Sequence, residues 1–220
     1  DLASGVYKNQ LVLKIIELCH QDKYTNVQDF AWYIDILILL GHRRGISSDN
    51  ASYLQSQLTD VTLRVLPVRT YAVRRCMEIV MEEDYRTTQG SIHSSSTDNL
   101  KGLLPSQEQQ QSPPHDNGYG KHIMVELLPS VAWIVGEYSD LVRDATELEF
   151  DDDDDDDHAP LQLPRGIYHS LIHAMLAPTT IMNQLCTTTQ SIYVQAAMKI
   201  FAAATADSQC QDTELETCVD

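Results

Sequence analysis

Glycine is scarce in this chain, at 9 of 220 residues. Tight β-hairpin turns draw on glycine for left-handed backbone, so this scarcity and the few hairpin signals argue against a β-rich fold. Cysteine is sparse and scattered: Cys19, Cys76, Cys186, Cys210 and Cys218, an odd number with no CxxC pair. That pattern excludes a disulfide framework and fits a reducing compartment. Basic residues number 15 against 32 acidic ones, for a net charge of −17. Phosphate binding rests on Lys and Arg, so nucleic acid is a poor partner. No apolar run approaches the roughly 20 residues of a membrane span. The nearest, Phe30 to Leu40, holds Asp35. No signal-peptide pattern opens the chain, which runs almost directly into a periodic segment and reads as part of something longer. GxSxG, a phosphate-cradling glycine loop and GxGxxG are all missing. The expectation is therefore a protein without catalysis, cofactor or small-molecule substrate.

What is present is helical periodicity. In Leu127 to Val142, LLPSVAWIVGEYSDLV, the residues Leu127, Val131, Ile134, Tyr138 and Leu141 fall on one helical face. Trp133 lies near the opposite flank. A helix with apolar residues on two flanks is sandwiched between neighbours. Gln28 to Leu40 is apolar nearly all round, so burial on several sides is expected there too. Trp32 and Trp133 are read as core anchors. Tyr7 to Gln21, a helix from Asp49 or Asn50 to Pro67, and another to about Glu83 complete two helical hairpins. Their spacing, roughly 35 to 40 residues, fits HEAT and armadillo repeats. Asn26 or Asp29 can cap the second helix and Gly41 can stop it.

The expected organisation is all-α: an α-solenoid of HEAT/armadillo-like hairpins over 1–206, with a polar tail at 207–220. Helical blocks are expected at 7–83, 121–142 and 163–206. Between them lie a disordered insertion at 84–120, rich in Ser, Gln, Thr, Gly and Pro, and an acidic insertion at 143–162.

Three clusters are candidate sites. His169 and His173 stand four apart, a spacing that could hold zinc. There is no Glu between them to act as a base and no third ligand marked by spacing, so surface histidines are the preferred reading and no metal is expected. Asp151 to Asp157 is an unbroken aspartate run. A calcium loop needs a glycine turn and alternating ligands, so a solvated acidic loop is preferred. Seven basic residues lie between Arg43 and Arg86, among them Arg64, Arg69, Arg74 and Arg75. They form a candidate partner-binding patch for an acidic protein or anionic lipid. The alternative is internal ion pairing with Asp60, Glu78, Glu82 and Glu83.

Four blocks, read in order, carry a resemblance. They are LVLKIIELCHQDKYTNVQDFAWYIDILILL (Leu11 to Leu40), QLTDVTLRVLPVRTYAVRRCMEIV (Gln57 to Val80), PSVAWIVGEYSDLV (Pro129 to Val142) and IYVQAAMKIFA (Ile192 to Ala202). The F-x-W-Y-I and AWI-x-GE-[YF]-S elements are the most specific. Together the blocks resemble the delta-adaptins, large subunits of the adaptor protein complex 3, in a later portion of the trunk. The resemblance implies an α-solenoid trunk in a heterotetramer with a second large, a medium and a small subunit. It implies peripheral membrane association on the cytosolic face of Golgi or endosomal membranes, and cargo sorting to vacuoles or lysosomes. The two insertions are longer and more biased than the family pattern. No cargo-binding residue of the family matches a position here. A HEAT-type scaffold for nuclear transport or a phosphatase is the first alternative, and a metal-dependent hydrolase using His169, His173 and the aspartates the second.

Overall fold

The computed structural model describes residues 2–43, 46–95, 123–148, 166–177, 183 and 185–217. Eight α-helices span them: α1 (Leu2–Tyr24), α2 (Phe30–Gly41), α3 (Ser48–Arg64), α4 (Arg69–Ser95), α5 (Leu128–Glu137), α6 (Val142–Glu147), α7 (Ile167–Leu176) and α8 (Thr187–Thr217). Short 3-10 turns, Leu66–Val68, Val125–Leu127 and Ser139–Leu141, lead into α4, α5 and α6. No helix among the described residues is long and apolar enough to cross a membrane.

The contacts sort these helices into two layers. In one, α1 packs on α3, α3 on α5 and α5 on α8. In the other, α2 packs on α4 and α4 on α7. Contacts of α2 with α3, α4 with α5, and α7 with α8 join the layers. This is the expected all-α solenoid, with one continuous core between the layers. The largest fully buried side chains include Tyr33 and Leu37 of α2, Leu54 and Leu58 of α3, Met77 of α4, Ile134 of α5, Leu171 of α7 and Ile200 of α8.

Local chemistry sets the helix starts. Asp29 is extended, and its carboxylate accepts from the backbone N–H groups of Ala31 and Trp32 at 2.8 and 3.2 Å. Asn26 instead donates to the Leu18 carbonyl. Ser47, rather than Asp49 or Asn50, caps α3, because its extended backbone turns the hydroxyl toward the Asn50 N–H. Pro67 and Pro129 fall in the first positions of their turns, where a missing N–H costs nothing.

Several expectations are corrected. The 127–142 segment is not one helix. Tyr138 leaves the helical region at φ −107°, ψ 39°, and a 3-10 turn re-aims the chain into α6. The acidic insertion therefore starts later than 143, since Val142 and Ala145 of α6 are fully buried three residues apart. Helix α4 runs past Glu83 to Ser95, and α8 runs through 207 to Thr217. Both extensions are polar helix, which composition alone reads as loop or tail. Gly41 does end α2, but without left-handed backbone. A Cβ there would lie 2.9 Å from Leu127 Cδ2 and 3.3 Å from Ile123 Cγ1, and the Gly41 carbonyl accepts from Met124 N–H at 2.9 Å. It lets the chain beyond the first insertion seat against the end of α2. Residues 96–122, with most of the first insertion, and the whole of 149–165, with the aspartate run, lie outside the described residues.

Candidate functional site

The four arginines singled out in the sequence do not stand together as a bare cationic patch. Arg64 pairs with Asp60 at 2.6 Å, its side chain 69% exposed. Arg69 donates to the carbonyls of Thr62 and Leu63 at 3.2 and 2.9 Å, and its guanidinium lies 4.4 Å from the Tyr138 ring centroid. It thereby fastens the end of α3 to the break after α5. Arg74 is buried and pairs with Glu78 at 2.7 Å. Arg75 bridges Asp35 at 2.8 Å and Glu78 at 2.5 Å, while the Tyr71 hydroxyl donates to the other Asp35 oxygen at 2.5 Å. Burial, and then the Asp35 carboxylate, push the Tyr71 phenol well above its ordinary range. Burial works against the Arg75 charge, but Asp35 and Glu78 outweigh it and raise its pKa. The geometry favours internal pairing. Asp60 and Glu78 were legible as partners from spacing along one helix. Asp35, on α2, was not, because only the fold brings α2 beside α4.

His169 and His173 are both exposed on α7, and no group of three potential metal ligands is gathered among the described residues. Cys19, Cys76 and Cys186 are free thiols. Burial pushes Cys76 up to about 12, so it behaves as a small apolar core residue. Cys186 is exposed, and hydrogen bonding to Thr189 lowers its pKa.

The distinctive surfaces are apolar and lie at the two ends of the stack. On α2, Trp32 and Leu39 are exposed and Ile36 partly so, at steps of four and three. Trp32, at 52% exposure, is thus not the core anchor expected of it; Tyr33, Ile34 and Leu37 point inward instead. On α1, Val12 and Ile16 are buried while Tyr7, Leu11 and Leu18 share an exposed face. At the other end, Val194, Met198 and Phe201 of α8 form an exposed stripe, the last two at 67% and 62%. Each stripe has the periodicity of a helix awaiting a neighbour. Their spacing was visible in the sequence, but periodicity cannot tell a covered stripe from an uncovered one.

Between those ends, α5 crosses α8 at very short range. A Cβ on Gly136 would fall 2.6 Å from Ala196 Cα and 2.7 Å from its Cβ. Only glycine admits that approach. Beside it, Lys199 Nζ meets Glu137 at 2.5 Å. Trp133, half-buried against the core, meets Tyr138 edge-on at 6.2 Å, as expected of a packing anchor. The AWIVGEYS element and the IYVQAAMK element are therefore the two sides of one contact.

Comparison with known proteins finds similar chains. Over 143 residues the chain is 34% identical to the AP-3 complex subunit delta of Dictyostelium discoideum, covering 65% of this chain and 10% of that protein. The chain is related to the AP-3 delta subunits. It is 26% identical over 206 residues to the AP-3 complex subunit delta-1 of Bos taurus, covering 92% of this chain and 12% of that one. Identity to the Schizosaccharomyces pombe AP-3 complex subunit delta is 22% over 142 residues, covering 64% and 14%. The chain thus spans only 10 to 14% of the length of these AP-3 delta relatives. No family model matches it, and no solved structure gives a significant match.

Proposed function

We propose that this chain is a later portion of a delta-type adaptin trunk and acts as a non-catalytic scaffold in a vesicle-coat adaptor complex. The observation that carries this reading is the two-layer helical stack with apolar stripes at both ends, in a chain related to AP-3 delta subunits. The first layer holds α1, α3, α5 and α8, whereas the second holds α2, α4 and α7. A further second-layer helix beside α7 would cover Val194, Met198 and Phe201 of α8. Further repeats on the α8 side and on the α1/α2 side would cover the stripes, each supporting the next.

In this reading the assembled trunk holds a second large subunit, a medium and a small subunit. It works peripherally on the cytosolic face of Golgi or endosomal membranes and sorts cargo toward the vacuole or lysosome. Its part is to fix geometry rather than to react, and the internal pairing of Arg74 and Arg75 fits a rigid spacer. The trunk organisation over 1–206 belongs to the same proposal.

The full-length protein tests it by co-purification. Recovery of a small adaptin-type subunit with it is the expected result, and failure to recover any adaptin subunit overturns the reading. The isolated 220-residue chain is expected to self-associate in light scattering despite its charge of −17. Replacing Val194, Met198 and Phe201 with serine is expected to reduce that association. A clean monomer before substitution counts against uncovered end faces.

A further inference from the structure

The joint between α1 and α2 is built unlike any other connection in the described chain. Gln21 departs from the helix at φ −54°, ψ 139°. Asp22, Lys23 and Tyr24 then follow one another at φ 49°, 59° and 66°. These are the three positive-φ residues other than glycine among the described residues. Side chains with a Cβ are strained in this region, and a run of three is far outside ordinary turn chemistry. Something must hold it.

Tyr24 does. Its ring is buried, with the His20 ring edge-on at 5.2 Å, Phe30 at 6.0 Å and Tyr33 at 6.1 Å. Its hydroxyl donates to the Asp60 carboxylate of α3 at 2.6 Å and lies 3.1 Å from Gln57 Oε1. Arg64 fixes the same carboxylate from the other side. At the far end of α1 a second polar contact joins the same two helices. The Asn9 side-chain oxygen accepts from Ser47 N–H at 2.7 Å and from the Asn50 amide at 2.9 Å, and the Asn50 amide also reaches the Asn9 carbonyl. This contact lies on unstrained backbone.

We propose that α1 is a hinged strap: the Asn9–Asn50 contact is its pivot, and the Tyr24 hydroxyl on Asp60 is the latch over a strained joint. Breaking the latch relaxes Asp22 to Tyr24 and lets α1 swing about the pivot without unstacking α3, α5 or α8. Because α1 carries the exposed Tyr7, Leu11 and Leu18 face, its angle sets the direction in which any helix packed there is presented. Curvature along a helical stack follows from just such small rotations. Tyr24 acts here as a positioning residue.

Amide hydrogen exchange on the whole chain tests this, using Tyr24→Phe and Lys23→Gly. Tyr24→Phe keeps the ring and removes the donor. It is expected to speed exchange in residues 6–20 about tenfold, the loss of one charge-assisted hydrogen bond, while 54–62 and 131–136 are unchanged. Lys23→Gly relieves the left-handed strain and is expected to slow exchange in residues 6–20. The proposal is overturned if Tyr24→Phe leaves 6–20 unchanged, or speeds every helix equally. It is also overturned if Lys23→Gly speeds exchange as glycine does within a regular helix.

Discussion

The α1/α3 seam and the α5/α8 crossing join neighbouring helices of the same layer by opposite means. At α5/α8 the backbones approach until no side-chain atom fits between Gly136 and Ala196. The hold there is dispersion and excluded water, spread over Val131, Ile134, Val135, Ala197 and Ile200. At α1/α3 the apolar seam is thin, with Val12 and Ile16 buried and Cys19 partly so. Two polar contacts, at Asn9 and Tyr24, set the register instead. Close apolar packing gives strength and tolerates no added volume. Directional polar contacts give alignment and can open one at a time.

The largest test breaks the crossing. Gly136→Val places carbon atoms inside Ala196, and overpacking of this kind is expected to cost about 3 kcal/mol or more. That corresponds to a fall in thermal midpoint of roughly 6–12 °C for a chain of this size. Calorimetry of the variant checks it, and an unchanged midpoint would mean that α5 and α8 are not in contact. The AWIVGEYS resemblance would then have no structural basis in this crossing.

A second test concerns the ion-pair network in the middle of the stack. Removing one partner of a buried pair ordinarily costs about 3–5 kcal/mol. Arg75 stays on Glu78 when Arg74→Met is made, so about 2 kcal/mol is expected from chemical denaturation. The Arg75→Met change should in addition release Asp35 and Tyr71. A loss for Arg74→Met as large as for a lone buried pair would show that Arg75 does not compensate.

The smallest effect sharpens the polar seam. Burial alone would raise the Asp60 pKa, but hydrogen bonds from Tyr24 and Arg64, with the Arg64 charge, hold it below the usual carboxylate value. A carboxyl depressed in the folded state contributes stability that is complete above its unfolded pKa, about 3.9, and fades as pH falls through the folded value. Melting below about pH 4 should therefore loosen α1 first, and Asp60→Asn should flatten that dependence. Equal acid sensitivity in wild type and variant would remove Asp60 from the account.

How much of this was legible beforehand depends on the kind of feature. Helix class and the order of the core faces follow from periodicity, since a buried stripe at steps of three and four fits no strand. The cap at Asp29, the prolines at helix starts and the Arg–Glu pair along α4 are also local, and local chemistry is written in neighbouring residues. The boundaries at 83, 143 and 207 were placed too early. Polar helix and polar loop share a composition, and only Val142 and Ala145 meeting the core betrays α6.

The sequence by itself determined that this chain is a stack of amphipathic helices without catalytic motifs, and its ordered blocks already resembled one adaptor family. Tertiary structure decided which apolar stripes are covered. Trp32 faces outward and Tyr33 inward, although both sit in one apolar helix, because the stack lies on only one side of α2. It also decided that Gly136 is spent on contact with Ala196 rather than on a turn, and that Asp35 neutralises an arginine 40 positions away. Those outcomes depend on which helix becomes whose neighbour, and no periodicity within a single helix encodes that.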